Sequence, residues 1–174
     1  VHALGNVAAL GLQIASLTAR RRGDRRRGVT LSLGAGALLG LTGYLGGHMA
    51  FGQGVGVDQT VFDAGPDEWT DALAADRLGD APATAVVGDT PVLVVRAADR
   101  TIRALHDRCS HRGCSLADGT IDGETIECPC HGSRFSLRDG HVERGPATAP
   151  QPAFDAREAA GRIELRRRPE AAAP

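Results

Sequence analysis

The sequence predicts an α plus all-β fold class: an N-terminal transmembrane helical hairpin followed by a small antiparallel β domain. Residues 1–19 and 29–51 carry no charged side chain, while residues 20–27 between them read R-R-R-G-D-R-R-R. From about residue 83 the pattern changes to short β-branched runs separated by Gly and Asp turn signals. All four cysteines then fall in two boxes, C-S-H-R-G-C at Cys109–Cys114 and C-P-C-H-G-S at Cys128–Ser133.

A bilayer-spanning helix needs about 20 largely apolar residues. The second uncharged segment meets this cleanly, and the first is just long enough, interrupted by Asn6, Gln13 and Ser16. At about 100° per residue, His2, Asn6 and Gln13 cluster on one polar stripe. On the second helix Gly36, Gly40, Gly43 and Gly47 share a face and make two small-xxx-small pairs, so close helix contact in a bundle is expected. Six arginines against one aspartate in the connection place it in the cytoplasm. Both outer helix ends and the β domain then lie outside the cytoplasm. His2 and His48 fall at similar depth near those outer ends. Paired as axial ligands they would suit a haem b, although packing or interfacial histidines are the more ordinary reading.

The expected organisation is a hairpin over 1–51, a Gly-rich linker over 52–68 that lets the following domain move, a β domain over 69–168, and a disordered tail over 169–174. The chain opens at Val1 inside an apolar run, as expected for a fragment of a larger helical membrane domain.

Within the β domain, Ala83–Val87, Pro91–Arg96 and Thr101–Leu105 read as strands, with Gly88-Asp89 and Ala98-Asp99-Arg100 as turns. Further strands are expected at Thr125–Glu127, Arg134–Leu137, His141–Glu143, Ala153–Arg157 and Arg162–Arg166, near turn signals at Asp122-Gly123, Asp139-Gly140 and Gly161. The boxes therefore sit on loops held by a sheet. His106 and His141 lie outside them and read as surface or locally bonded histidines.

The boxes supply Cys-x-His, sixteen residues, then Cys-x-x-His. Cys109 and Cys128 are candidate thiolate ligands and His111 and His131 candidate imidazole ligands. This set suits a 2Fe-2S cluster in which one iron takes two cysteines and the other two histidines. Structural zinc also accepts two of each, but its paired ligands usually have two to four residues between them, whereas Cys109 and His111 have one. Cys114 and Cys130 are left over, one per box, which suggests a disulfide.

On these motifs, residues 84–166 resemble a Rieske domain. The boxes are similar to those of cytochrome bc and b6f complexes and arsenite oxidase small subunits; the ferredoxin components and oxygenases of aromatic-ring hydroxylation use the same ligands without the extra cysteines. The resemblance implies a Cys114–Cys130 disulfide tying the two loops together. It also implies that Ser133 donates to a bridging sulfide, and that Gly145-Pro146-Ala147 is the proline loop covering the cluster. Where high-potential members have a tyrosine donating to a ligand thiolate, this chain has Phe135, so a potential below that of the quinol-oxidising complexes is expected. Where they have a leucine that shapes a quinone pocket, this chain has Arg112. With Arg134 it is expected to make the rim positive, suiting an acidic redox partner. The helical segment resembles, more weakly, the last two helices of an uncharacterised bacterial four-helix membrane family, including the Gly46-Gly47-His48 run.

The charges nearly cancel, at a formal −1, so no nucleic-acid role is expected. No phosphate loop or catalytic triad is present, and no catalytic residue is assigned. The expected function is that of a one-electron carrier anchored in the bacterial cell membrane, in contact with lipid and with redox protein partners at the extracytoplasmic face. The alternatives are a quinol-oxidising respiratory subunit, an oxygenase-feeding ferredoxin and a structural zinc module.

Overall fold

The computed structural model describes residues 2–63 and 65–168, so Val1 and the expected tail at 169–174 lie outside the described residues. The chain divides into two compact units, Val1–Gln53 and Gly54–Pro174.

The first unit is a helix pair, α1 (His2–Arg21) and α2 (Arg25–Gly47), with a π-helical turn over His48–Gly52. Asp24 caps α2 by accepting the Arg27 N–H at 3.0 Å, as a short acceptor before a helix should. The polar stripe of α1 runs along the side next to α2, with His2 half-buried and Asn6 and Gln13 exposed at the edge of the contact. Ser16 Oγ donates to Gly28 O at 2.6 Å, Ser32 Oγ to Gln13 Oε1 at 3.1 Å and Thr42 Oγ1 to Asn6 Oδ1 at 2.8 Å. Outward, Leu4, Val7, Leu10, Ile14 and Leu17 are 50–75% exposed. Among the described residues only the helix running through Arg25–Gly52 is long and apolar enough to cross a bilayer; His2, Asn6 and Gln13 lower the hydropathy of α1.

Two expectations about this unit are corrected. A Cβ added at Gly36, Gly40, Gly43 or Gly47 would meet nothing within 4 Å, so the glycine stripe does not make the helix contact. The close approaches are at Gly5 against Thr42, Gly28 against Arg20 and Gly46 against His2. Nor is His2 a free axial ligand. Its Nδ1 lies 2.8 Å from Thr42 O and its Nε2 3.3 Å from Asn6 Nδ2, so both ring nitrogens are spent inside the pair. His48 stacks on Tyr44.

The second unit is built from two antiparallel sheets. The larger has strands β1 (Thr70–Ala74), β2 (Ala83–Val87), β3 (Thr90–Arg96), β4 (Ile102–His106), β9 (Ala153–Ala159) and β10 (Arg162–Arg167), in the order β1-β10-β9-β4-β3-β2. The smaller holds β5 (Thr120–Asp122), β6 (Thr125–Glu127), β7 (Arg134–Ser136) and β8 (Val142–Arg144), in chain order. Strands β1 and β5 were not anticipated. Thr70–Ala74 is rich in alanine and finds its partner, β10, some ninety residues later, with Leu73 opposite Ile163. Inside, Phe154, Val92, Val94, Ile163 and Leu165 form one apolar cluster, and Leu93, Leu105, Leu116, Ile126 and Phe135 form a second that includes Cys109 and Cys128.

The glycine-rich stretch expected as a free linker is joined to the β unit from Gly54 onward. Gln59 N–H donates to Ser110 O at 2.8 Å, Arg167 N–H to Pro66 O at 2.7 Å, and Thr60 is buried.

Candidate metal centre

Each box folds as a closed loop of the same length. Cys109 N–H donates to Cys114 O at 2.8 Å while Gly113 N–H returns to Cys109 O at 2.8 Å. Cys128 N–H donates to Ser133 O at 2.8 Å while Gly132 N–H returns to Cys128 O at 3.0 Å. The fifth residue of each loop has positive φ, +77° at Gly113 and +73° at Gly132, which is why a glycine follows near each histidine. Box 1 begins after β4, and box 2 joins β6 to β7, whose pairing sets Glu127 opposite Arg134.

This construction brings the four candidate ligands together as two pairs. Cys109 and Cys128 are buried free thiols, near enough that each thiol feels the charge of the other. Burial, then the neighbouring Cys128, pushes the Cys109 thiol up to about 11, against which the N–H groups of His111 and Arg112 favour the thiolate. The rings of His111 and His131 meet edge to face, centroids 4.9 Å apart. His111 Nδ1 is buried with no hydrogen-bond partner, an open position for a bond that the protein itself does not supply. Burial lowers the proton affinity of His111, and the nearby His131 adds to this. His131 is exposed.

Among the described residues, no three His, Cys, Asp or Glu side chains are gathered tightly enough to hold a single ion. Paired thiols and paired imidazoles match a cluster that gives each iron one pair, rather than the single tetrahedron of zinc. The residues present fit a 2Fe-2S group.

The remaining predicted positions surround this set. Cys114 and Cys130 form a disulfide between the boxes, Cα atoms 6.5 Å apart. Ser133 is fully buried and its Oγ accepts the Ala147 N–H at 3.0 Å, leaving its own proton free to donate. Phe135 is fully buried in the core cluster that contains both thiols. Gly145 and Pro146, joined by a cis peptide, are exposed. The loop they open reaches both boxes, because Ala147 N–H donates to Ser133 Oγ and Ala149 O accepts from Ser110 Oγ at 2.9 Å.

Arg112 is exposed. Glu127 lies between Arg144 and Arg134, so one carboxylate answers two guanidiniums and a net positive charge stays beside box 2; Arg134 is the nearer of the two. Its Nε donates to Glu127 at 2.6 Å, and this hydrogen bond holds the Glu127 carboxyl below the usual carboxylate range. Arg144, which the sequence did not single out, donates to Gly132 O at 2.9 Å and so closes box 2.

Gln151, His106 and Asp63 were not legible from the sequence as neighbours of the site. Gln151 is buried, accepts the Ser110 N–H at 2.9 Å, and donates to His106 O and Arg108 O at 2.6 Å each. The hydrogen-bond partners of its side chain lie more than forty residues earlier, so no local motif marks it. His106, read as a surface or locally bonded histidine, is fully buried. Its Nδ1 accepts the Arg108 N–H at 3.0 Å and its Nε2 faces Asp63 Oδ2 at 3.3 Å. His141 is exposed, as expected.

Comparison with known proteins agrees with this geometry. Residues 68–155 match the family model described as Rieske [2Fe-2S] domain. The chain is 33% identical over 99 residues to the anthranilate 1,2-dioxygenase ferredoxin subunit of Burkholderia cepacia, covering 56% of this chain and 91% of that protein. It is 40% identical over 67 residues to the cytochrome b6-f complex iron-sulfur subunit 3 of a Nostoc species, covering 37% of this chain and 36% of the subunit. Among solved structures, the ferredoxin of carbazole 1,9a-dioxygenase from Nocardioides aromaticivorans aligns with a TM-score of 0.52 at 30% identity, over 56% of this chain and 96% of the ferredoxin. The chain belongs to the Rieske [2Fe-2S] domain family, as an electron-transfer protein whose cofactor is a Rieske-type 2Fe-2S cluster.

Proposed function

We propose that this protein is a membrane-anchored Rieske electron carrier in which Cys109 and Cys128 hold one iron and His111 and His131 the other, at the extracytoplasmic face. The observation that carries the ligand assignment is the division of the site into a thiol pair and an imidazole pair on two equal loops joined by the Cys114–Cys130 disulfide. The cluster, when bound, supplies a one-electron couple. The chain's residues do the rest. Burial of Cys109 and Cys128 keeps water from the thiolate side, while exposed His131 leaves an edge through which electrons and protons exchange with a partner. Ser133 retains a proton to donate, which stabilises the reduced state. Phe135 has no hydroxyl to add a second such bond, so the potential is expected below the upper end of the range of about −150 to +300 mV.

The membrane reading rests on the helix pair. With polar side chains bonded between the helices and leucines turned outward, α1 and α2 together present an apolar surface even though α1 alone is only moderately apolar. At 1.5 Å per residue both are about 30 Å or longer, the thickness of the hydrocarbon core. Arg25, Arg26 and Arg27 occupy the first turn of α2, where the helix dipole disfavours cations. A cytoplasmic loop that sets orientation explains arginines at that position. The disulfide suits an oxidising compartment.

The partner is a redox protein. Its second reading, an oxygenase component, is favoured by the similarity to the dioxygenase ferredoxin subunit over nearly all of that subunit's length. Quinol oxidation is disfavoured by the exposed Arg112 guanidinium beside His111, where an apolar pocket would be needed. Reduced full-length protein in membranes should give a rhombic Rieske EPR signal with two iron and two sulfide per chain. Cys128→Ser should abolish it, and retention of the signal would overturn the ligand set. Thiol labelling of a cysteine at Asp89 from the cytoplasmic side alone would overturn the topology.

A further inference from the structure

Residues 54–63 precede the stretch that matches the family, yet they are bonded into box 1. Gln59 N–H donates to the carbonyl of Ser110, the residue between Cys109 and His111. The other polar groups of Ser110 are also occupied, its N–H by Gln151 Oε1 and its Oγ by Ala149 O. The strap is itself ordered by Asp58, whose Oδ1 accepts Thr60 N–H at 2.7 Å and Thr60 Oγ1 at 2.6 Å. It is fastened at Asp63. One oxygen of that carboxylate accepts Thr90 Oγ1 at 2.5 Å and the other lies 3.3 Å from His106 Nε2.

We propose that Asp63 and His106 are positioning residues for the cluster, through which the strap orients box 1. The proposal rests on the ligand assignment above. Asp63 holds the His106 proton on Nε2, which leaves Nδ1 as the acceptor for the Arg108 N–H, one residue before Cys109. The ring is fully buried under the part-exposed Asp63, so without that carboxylate its Nε2–H exchanges a charged acceptor for entering water or for none. The tautomer that avoids this loss carries its proton on Nδ1 and cannot accept from Arg108. Either outcome loosens the backbone that aims Cys109.

The test compares full-length wild type, Asp63→Ala, His106→Asn and the double variant in detergent. The readouts are EPR g-values, midpoint potential, rate of cluster loss to a chelator, and melting temperature. Asp63→Ala should lose its cluster about tenfold faster, the size of one charge-assisted hydrogen bond, with shifted g-values and potential. His106→Asn keeps an acceptor for the Arg108 N–H and no longer depends on Asp63. Adding Asp63→Ala to it should leave the cluster readouts where they are. A lowered melting temperature in Asp63→Ala with unchanged g-values, potential and cluster retention overturns the proposal, as does simple additivity in the double variant. Absence of a Rieske signal from wild type would instead overturn the ligand assignment beneath it.

Discussion

The helix pair and the β unit bury opposite kinds of side chain. Between α1 and α2 the buried residues are Ser16, Thr42, Gly28 and three alanines, while leucines face outward. In the β unit Phe154, Leu93, Leu105 and Phe135 are inside, and arginine-carboxylate pairs such as Arg157–Glu164 and Arg167–Asp67 lie on the surface. On the membrane reading proposed above, each arrangement suits one solvent. Water rewards the burial of apolar area; in a bilayer that reward is absent between helices, and association relies on close packing and interhelical hydrogen bonds. One chain therefore carries two inside-outside rules, which change near Gly54.

The largest effect that would break the comparison is expected in the β core. Phe154→Ala should destabilise the β unit by about 3–5 kcal/mol, read by chemical denaturation; a cost under about 1 kcal/mol would mean that this core is not what holds the unit. Next, replacing Cys114 and Cys130 together by alanine opens a loop of 16 residues and should cost about 3 kcal/mol. The double variant should also release its cluster faster, measured by the decay of visible absorbance. In the helix pair, Thr42→Val removes the bond to Asn6 yet should cost only about 0.6 kcal/mol in detergent or lipid. A loss of several kcal/mol would show that the pair obeys the rule of the β unit.

The last effect is absent at pH 7 and grows only in acid. Burial depresses the proton affinity of His106 below the ordinary 6.5, outweighing Asp63. The unfolded chain then binds more protons than the folded one as pH falls below about 6.5, so stability should decline from there downward. Denaturation midpoints at pH 7 and pH 5 should differ less in His106→Asn than in wild type.

Much of the β unit was legible locally. Ala83–Val87 and Thr125–Glu127 read as strands with the bounds that the structure has, because β-branched runs between Gly-Asp signals depend little on distant partners. Strand β1 did not, since its Ala-rich segment becomes a strand by pairing with β10. The same locality made the two boxes readable, as their residue types and spacing carry the chemistry. Gln151, Asp63 and His106 were not readable as parts of the site. Their contacts join segments about forty residues apart, and nothing near them in the chain marks that meeting.

On its own, the sequence determined the candidate donor set of the centre, the strands whose patterns are local, and the charge pattern around α1 and α2. Short-range spacing and composition are enough for these. The tertiary structure decided which face of each helix is buried and that the glycine stripe of α2 stays open. It also decided that Arg134 answers Glu127 and that residues 54–63 brace the first box. Each of these depends on a partner distant in the chain, and such pairings form only when the whole chain has folded.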